Sequence, residues 1–152
     1  MNTQPNTNTP SMMQRWVNQF PDASLDKILF VFRLMQDHYD EPGRYYHVFA
    51  HPEDMLRQMD RYFPDAPRAV VLAIFLHDVI YQPRLPYSEL HSARFAREHL
   101  PKLGITAMEV SKVARMIATT KDHIAQNVDQ AIVCDLDLVS LAYSPKRYQK
   151  HT

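Results

Sequence analysis

His77 and Asp78 stand next to each other in RAVVLAIFLHDVIY, the most apolar stretch of the chain. Burying an imidazole and a carboxylate in such surroundings costs free energy unless each group has a strong partner, and a divalent metal ion can serve both. Alternatively, His77 caps a backbone carbonyl and Asp78 meets an arginine such as Arg44 or Arg115. These two residues alone leave both interpretations open.

A second acidic pair, Asp135 and Asp137, lies in CDLDLVSLA. Residues two apart on a helix point to different sides, so at most one of these carboxylates can share a site with His77. With His51 and Asp78, that aspartate would complete a mixed set of nitrogen and oxygen ligands. Such a set suits Mn, Fe, Co, Zn or Mg better than a structural zinc site built from thiolates.

The elements that would position these residues are all predicted to be helices, in a compact all-α bundle of about six. Only Gly43 and Gly104 are glycines, which leaves few positions for tight hairpins. Apolar residues recur at helical spacing in six segments: SLDKILFVFRLMQDHY, PEDMLRQMDRYF, RAVVLAIFLHDVIY, ELHSARFAREHL, VSKVARMIATT and DQAIVCDLDLVSLAY. Ser24 is predicted to cap the first, Ser88 the fourth, and Thr106 with Glu109 the fifth. We expect the third of these helices at the centre.

Length and composition bound the class of protein. The 152 residues favour one domain, and we expect a mobile tail over residues 1–12 and a helical domain over residues 13–152. The seventeen basic and seventeen acidic residues give a net charge of zero, so no overall charge attracts the chain to nucleic acid or to an anionic membrane. A single cysteine, Cys134, excludes an internal disulfide, and no apolar run reaches the roughly 20 residues of a membrane span. A cytoplasmic protein of undetermined oligomeric state is expected.

Five segments in order resemble the H…HD…D pattern of the HD superfamily of metal-dependent phosphohydrolases: YYHVFAHPEDML, FLHDVIY, YSELHSA, IATTKDH and DLDL. The similarity covers roughly residues 16–149 and is of the kind seen in the compact bacterial branch of predicted HD phosphohydrolases. It implies an HD-domain-like bundle with metal ligands at His51, His77, Asp78 and Asp137. Asp137 is preferred to Asp135 because the last motif of the superfamily usually sets its aspartate between a small or apolar residue and an apolar one.

The stretch RYYHVFAH also resembles a YHNxxHAxxV segment of cyclic-nucleotide phosphodiesterases. That resemblance implies that His47 is the proton donor and His51 the metal ligand. The pair His51-Pro52 is similar to the YxxHPxxV context of (p)ppGpp hydrolases, which supports the same division. Since proline disfavours helical geometry at the residue before it, we expect His47 and His51 not to share a regular helix face.

The same resemblance suggests roles for further polar residues. Glu89 would join Asp78 in catalysis by holding a metal-bound water or a second metal, while Lys121 and His123 would bind substrate phosphate. The helix dipole could equally explain Glu89 in a first helical turn, and a solvated helix end could explain the other two. Arg44 has the planar geometry for bidentate pairing with phosphate, but it could also form a structural ion pair with a helix-end carboxylate.

The expected function is metal-dependent hydrolysis of a phosphate ester in a nucleotide or another small phosphorylated metabolite. Val48 and Ser88 depart from the resemblance, because the family commonly has asparagine at both positions. The bacterial branch also usually continues for several helices beyond SPKRYQKHT, so either the domain is shortened at its C-terminus or the sequence is a truncated form. Two alternatives therefore stay open: a non-catalytic HD-fold module that binds metal or nucleotide for regulation, and a helical interaction domain in which the His and Asp residues satisfy one another.

Overall fold

The computed structural model describes residues 11–44, 49–82, 84 and 86–143, and the regular structure of these residues is entirely helical. In order along the chain lie α1 (Met12–Val17), α2 (Leu25–Tyr39), α3 (Ala50–Tyr62), α4 (Arg68–Leu76), α5 (Ser88–His99), a short 3-10 helix (Leu100–Leu103), α6 (Ala107–Thr119) and α7 (Val128–Tyr143). The prediction of a compact all-α bundle is confirmed, and the described part of the chain contains no strand. It has one α-helix more than the six expected.

The additional helix is α1, whose first residue, Met12, is the last residue of the predicted tail. Ser11 caps it by accepting the N–H of Gln14, so helical structure already begins at Met12. Trp16 in this helix is fully buried, and its indole N–H donates to the carbonyl of Ile28 at 3.1 Å. The remainder of the predicted tail, residues 1–10, lies outside the described residues.

Helix α4 is the centre of the bundle, as its sequence predicts. Its residues from Ala69 to Leu76 are all buried, and it packs against α3, α5, α6 and α7. At its first residue, Arg68 forms a bidentate ion pair with Glu109 of α6, with N–O distances of 2.5 and 2.9 Å. Because α4 touches four neighbours, the residues that follow its last turn can meet side chains from several elements.

Most of the predicted helix caps are present. Ser24 accepts the N–H of Lys27 at the start of α2, and Thr106 accepts the N–H of Glu109 at the start of α6. Gly104, with a left-handed φ of 82°, ends the 3-10 helix. The prediction that Ser88 caps α5 is wrong, because Ser88 is the first residue of that helix and its hydroxyl contacts Gln82 instead. Among the described residues, no helix has the length and apolarity needed to cross a bilayer.

Candidate metal centre

His77 and Asp78 lie in the turn after α4, so their predicted placement inside the helix is wrong. The helix ends at Leu76 because the last turn finds other partners for its backbone. The Nδ1 atom of His77 donates to the carbonyl of Ile74 at 2.8 Å, and the N–H of Val79 reaches back to Leu76 at 3.2 Å. The turn directs His77 and Asp78 away from the helix axis.

Side chains from α2 and the segment after it hold this end of α4. The hydroxyl of Tyr39 donates to the carbonyl of Phe75 at 2.9 Å. The guanidinium of Arg44 donates to the carbonyls of Asp78 and Val79, the latter at 3.0 Å. The Phe75 carbonyl is one of those that a helix end leaves without intrahelical partners, and the carbonyls of Asp78 and Val79 belong to the turn that follows. Arg44, predicted to bind substrate or to form a structural ion pair, therefore has its guanidinium against the backbone of the turn, and Oε1 of Glu41 lies 3.9 Å from its Nη1.

Two serines on α5 hold the chain that continues from this turn. The hydroxyl of Ser92 accepts the N–H of Ile80 at 3.0 Å and donates to the carbonyl of the same residue at 3.1 Å. One helical turn earlier, Ser88 makes the same pair of bonds to Gln82, at 3.2 and 3.4 Å. Each serine thus supplies both the acceptor and the donor that a neighbouring strand would offer. The first turn of α5, which carries Glu89, is in this way attached to the segment that follows Asp78.

We expect Ser92→Ala to lower the free energy of unfolding by about 1–3 kcal/mol, because it leaves the N–H and the carbonyl of Ile80 without their partner in a largely buried setting. Ser88→Ala is the matched control, since its bonds to Gln82 lie at the surface and water can replace them. Urea denaturation of both variants measures the difference. Equal losses in the two variants would contradict this account of Ser92.

His51 lies within α3 although Pro52 disfavours helical geometry at this residue, and the expectation that His47 and His51 do not share a regular helix face stays a prediction. The helix begins at Ala50, so His51 has helical geometry in spite of the proline after it. Pro52 is tolerated because an N–H in the first turn has no intrahelical partner to lose. His47, the predicted proton donor, lies outside the described residues.

The side chains of His51, His77 and Asp78 converge, and Asp137 of α7 lies against them. One possible ligand atom from each of the first three lies within 4.8 Å of the others, and both histidines are only 1% exposed. Oδ1 of Asp137 is 2.7 Å from Nε2 of His51 and 3.4 Å from Nε2 of His77. Oδ2 of Asp78 is 3.7 Å from Nε2 of His77.

These distances fit donor atoms that surround one small cation. Two atoms each about 2.1 Å from an ion, and about 90° to 110° apart, are about 3.0 to 3.4 Å from each other. The measured separations of 2.7, 3.4 and 3.7 Å lie around that range. The donors are imidazole nitrogens and carboxylate oxygens without a thiolate, a set that suits divalent first-row metals or magnesium.

The orientation of the His77 ring suits a ligand. Its Nδ1 is fixed on the Ile74 carbonyl, while Nε2 is buried and makes no hydrogen bond within the described part of the chain. A backbone bond at one ring nitrogen commonly directs the other toward a metal. Burial alone would lower the pKa of His77, but the charges of Asp78 and Asp137 and the Ile74 carbonyl raise it to about 9. Without a cation, the proton on His77 balances the carboxylates.

Asp137 uses its two oxygens differently. Oδ1 faces His51 and His77, whereas Oδ2 is 2.8 Å from Nε2 of His123. Burial raises the pKa of Asp137, but the hydrogen bond from His51 and the nearby imidazoles of His51 and His77 outweigh burial and hold that pKa far below its usual range. His123 has a left-handed φ of 60°, a conformation that non-glycine residues rarely adopt and that here turns the imidazole toward Asp137.

A cavity of about 230 Å³ opens beside the cluster. The side chains and backbone that line it come from α3, the turn after α4, α5, the end of α6 and α7: His51, Asp78, Glu89, Thr120, Lys121, His123 and Asp137. Lys121 is exposed at this cavity, with its Nζ 4.5 Å from the centroid of the Tyr87 ring. Asp135 is exposed and lines a different groove, between α3 and α7.

The structure therefore brings together all the predicted site residues that it describes except Arg44, which lies behind the turn. Three further residues belong to the site without a role predicted from sequence: Thr120 lines the cavity wall, and Tyr39 and Ser92 support the turn. Only Ser92 had a usable signal, because it follows Ser88 by four residues and shares its helix face. Tyr39 and Thr120 looked like ordinary members of apolar helices.

Comparison with protein-family models finds no match for this chain. Searches of curated proteins and of solved structures likewise find no significant similarity.

Proposed function

We propose that the chain is a metal-dependent phosphohydrolase of the HD superfamily that acts on a small phosphorylated metabolite, such as a nucleotide. The observation that carries this proposal is the convergence of His51, His77, Asp78 and Asp137 at one wall of a cavity that also holds Lys121. The ordered sequence segments described above support the same superfamily, because all five of them supply residues to this cavity.

The charge of the cavity supports a role for a cation in binding phosphate. Asp78, Glu89 and Asp137 contribute three carboxylates to its wall, and Lys121 contributes one ammonium. Even with the proton on His77, the three carboxylates outweigh the charges of Lys121 and His77 and would repel a phosphate group, so a divalent cation is needed to make the surroundings favourable. When bound, such an ion supplies Lewis acidity toward a phosphoryl oxygen and toward water.

The residues of the chain divide the remaining work. Glu89, at the cavity wall but outside the histidine cluster, is placed to orient a water molecule and accept its proton. Lys121 balances charge on the phosphate, and His123 holds Asp137 in one orientation through Oδ2. In this proposal His47, as the sequence predicts, donates a proton to the leaving oxygen.

Glu89→Gln is expected to keep bound metal while lowering kcat by about 10²- to 10⁴-fold, because the amide retains the shape but cannot accept a proton. Glu98→Gln, at an exposed position of the same helix, is the matched control and should leave turnover unchanged. Steady-state kinetics with metal analysis of both variants separates the two quantities. A Glu89→Gln enzyme with full kcat would remove this role.

The function itself is tested with the purified chain loaded with Mn, Co, Zn or Mg and supplied with a panel of phosphomonoesters and phosphodiesters. We expect release of phosphate or of a nucleoside monophosphate that depends on the metal and stops in chelator. Stoichiometric metal with no hydrolysis across the panel would instead favour the non-catalytic binding module.

A further inference from the structure

We propose that Arg44 is a positioning residue for the metal centre and that it sets the direction of Asp78 through the backbone of the turn after α4. This inference rests on the metal centre of the proposed function. It departs from the role in phosphate binding that the guanidinium geometry suggests, because the side chain of Arg44 is 2% exposed and faces backbone oxygens.

The contacts of Arg44 join the end of α2 to the turn that carries the candidate ligands. Nη1 donates to the carbonyl of His38 at 2.8 Å and to that of Val79 at 3.0 Å, and Nη2 donates to the carbonyl of Asp78. The guanidinium carbon lies 4.7 Å from the centroid of the Tyr39 ring, which supports the plane from one side. Three carbonyls and an aromatic face thus hold one planar cation.

The two ligands of this turn are fixed in different ways. The ring of His77 is oriented directly, through its own Nδ1 and the Ile74 carbonyl. The carbonyls of Asp78 and of the next residue, Val79, are both bound by Arg44. The Asp78 carboxylate extends from this fixed backbone toward the cavity, so a rotation of the turn would move it away from His77 and Asp137.

Lysine cannot reproduce this arrangement. Its single nitrogen can donate three hydrogen bonds, but it cannot span carbonyls that Arg44 reaches from two different nitrogens. Arg44→Lys retains the positive charge and most of the aliphatic packing, and we expect it to fold. It therefore separates loss of the planar contact pattern from loss of charge.

The test is a Co²⁺ titration of the full chain, followed by visible absorption, for wild type, Arg44→Lys and Arg44→Ala. We expect both variants to bind Co²⁺ about 10- to 100-fold more weakly, as is usual when a group that orients a ligand is removed. The absorption bands of the bound ion should also change, because they depend on its coordination. Added ethylguanidinium should partly restore affinity and spectrum to Arg44→Ala, whereas ethylammonium should not.

Arg68→Lys is the matched control, since Arg68 anchors the opposite end of the same helix through Glu109. It should lower the melting temperature without changing the Co²⁺ spectrum. Arg44→Lys with wild-type affinity and spectrum would overturn the inference while leaving the metal centre intact. If Arg44→Lys kept the wild-type Co²⁺ affinity and spectrum but had a raised KM, the inference would also be overturned, and Arg44 would instead contribute to substrate binding. A wild-type chain that binds no Co²⁺ would overturn the inference together with the proposed function on which it rests.

Discussion

His77→Ala is expected to abolish metal binding and phosphohydrolase activity together. His77 presents Nε2 to the carboxylates of Asp78 and Asp137 at 3.7 and 3.4 Å, and its ring is already oriented by the Ile74 carbonyl. Alanine removes this nitrogen ligand, and the carboxylates of Asp78 and Asp137 then lack the imidazole between them. Metal content after dialysis and turnover on the best substrate should both fall below detection.

A suitable control is His99→Ala. His99 is also buried, but it packs on Phe95 at 4.3 Å between ring centroids, away from the cavity. Its loss should lower stability through packing while metal content and turnover per folded molecule stay at wild-type levels. If His77→Ala retained stoichiometric metal, or if both histidine variants lost it equally, the assignment of His77 as a ligand would fail.

The second large effect expected is a loss of stability of the metal-free protein as the pH rises. His77 has a pKa of about 9 in the folded chain against 6.5 for an unperturbed histidine, because Asp78 and Asp137 outweigh its burial. A raised pKa means that the folded state binds the proton more tightly than the unfolded state. The resulting stabilisation is complete below pH 6.5, amounts to about 3 kcal/mol, and is lost as the pH rises through about 9.

Asp137 acts in the opposite direction at low pH. Its pKa is held far below 3.8, so the stabilisation that it contributes is present above that pH and is lost as the solution becomes more acidic. The metal-free chain should therefore be most stable between about pH 4 and 6.5. Urea denaturation in chelator across this range and up to pH 9.5 measures the profile.

Bound metal should reverse the alkaline trend, because it takes the place of the His77 proton and that proton is released. Stabilisation by added metal is thus expected to grow between pH 6.5 and 9. Asp137→Asn is a useful comparison, since removal of this carboxylate should reduce the alkaline loss in chelator. A metal-free profile that is flat from pH 6.5 to 9.5 would contradict the charge balance described for the cluster.

Much of the helical framework could be predicted from local sequence. The start of α2 at Ser24 and of α6 at Thr106 depends on a side chain that accepts an N–H three residues later, and this signal is local. The central position of α4 follows from its apolar residues on every face. These predictions are confirmed because a helix cap depends on residues close in sequence, and because the position of α4 depends only on the burial of apolar residues.

The predictions were wrong where a contact between residues distant in sequence determines the backbone conformation. Nothing in RAVVLAIFLHDVIY signals that the helix stops at Leu76, because the donors come from far back in the chain. Tyr39 binds a carbonyl of the last helical turn, and Arg44 binds carbonyls of the turn that follows. Pro52 disfavours helical geometry at His51, yet α3 begins at Ala50, one residue before His51. The general bias before proline was outweighed by the packing of this helix start.

The sequence indicates which residues belong to the candidate site, but not how their side chains contact one another. The spacing of Asp135 and Asp137 indicated that they point to different sides, and the structure places Asp137 against the histidines and Asp135 at the surface. The contact between His123 and Asp137 depends on a left-handed residue between two helices. No residue type at position 123 requires that conformation, so sequence alone could not reveal it.

Metal content of the wild-type chain tests the central claim most directly. The purified protein is loaded in turn with Mn, Fe, Co, Zn and Mg, dialysed, and measured for moles of ion per mole of chain. We predict at least one ion per chain for one or more of these metals, bound through His51, His77, Asp78 and Asp137. Failure to retain a stoichiometric ion under every loading condition would contradict the account.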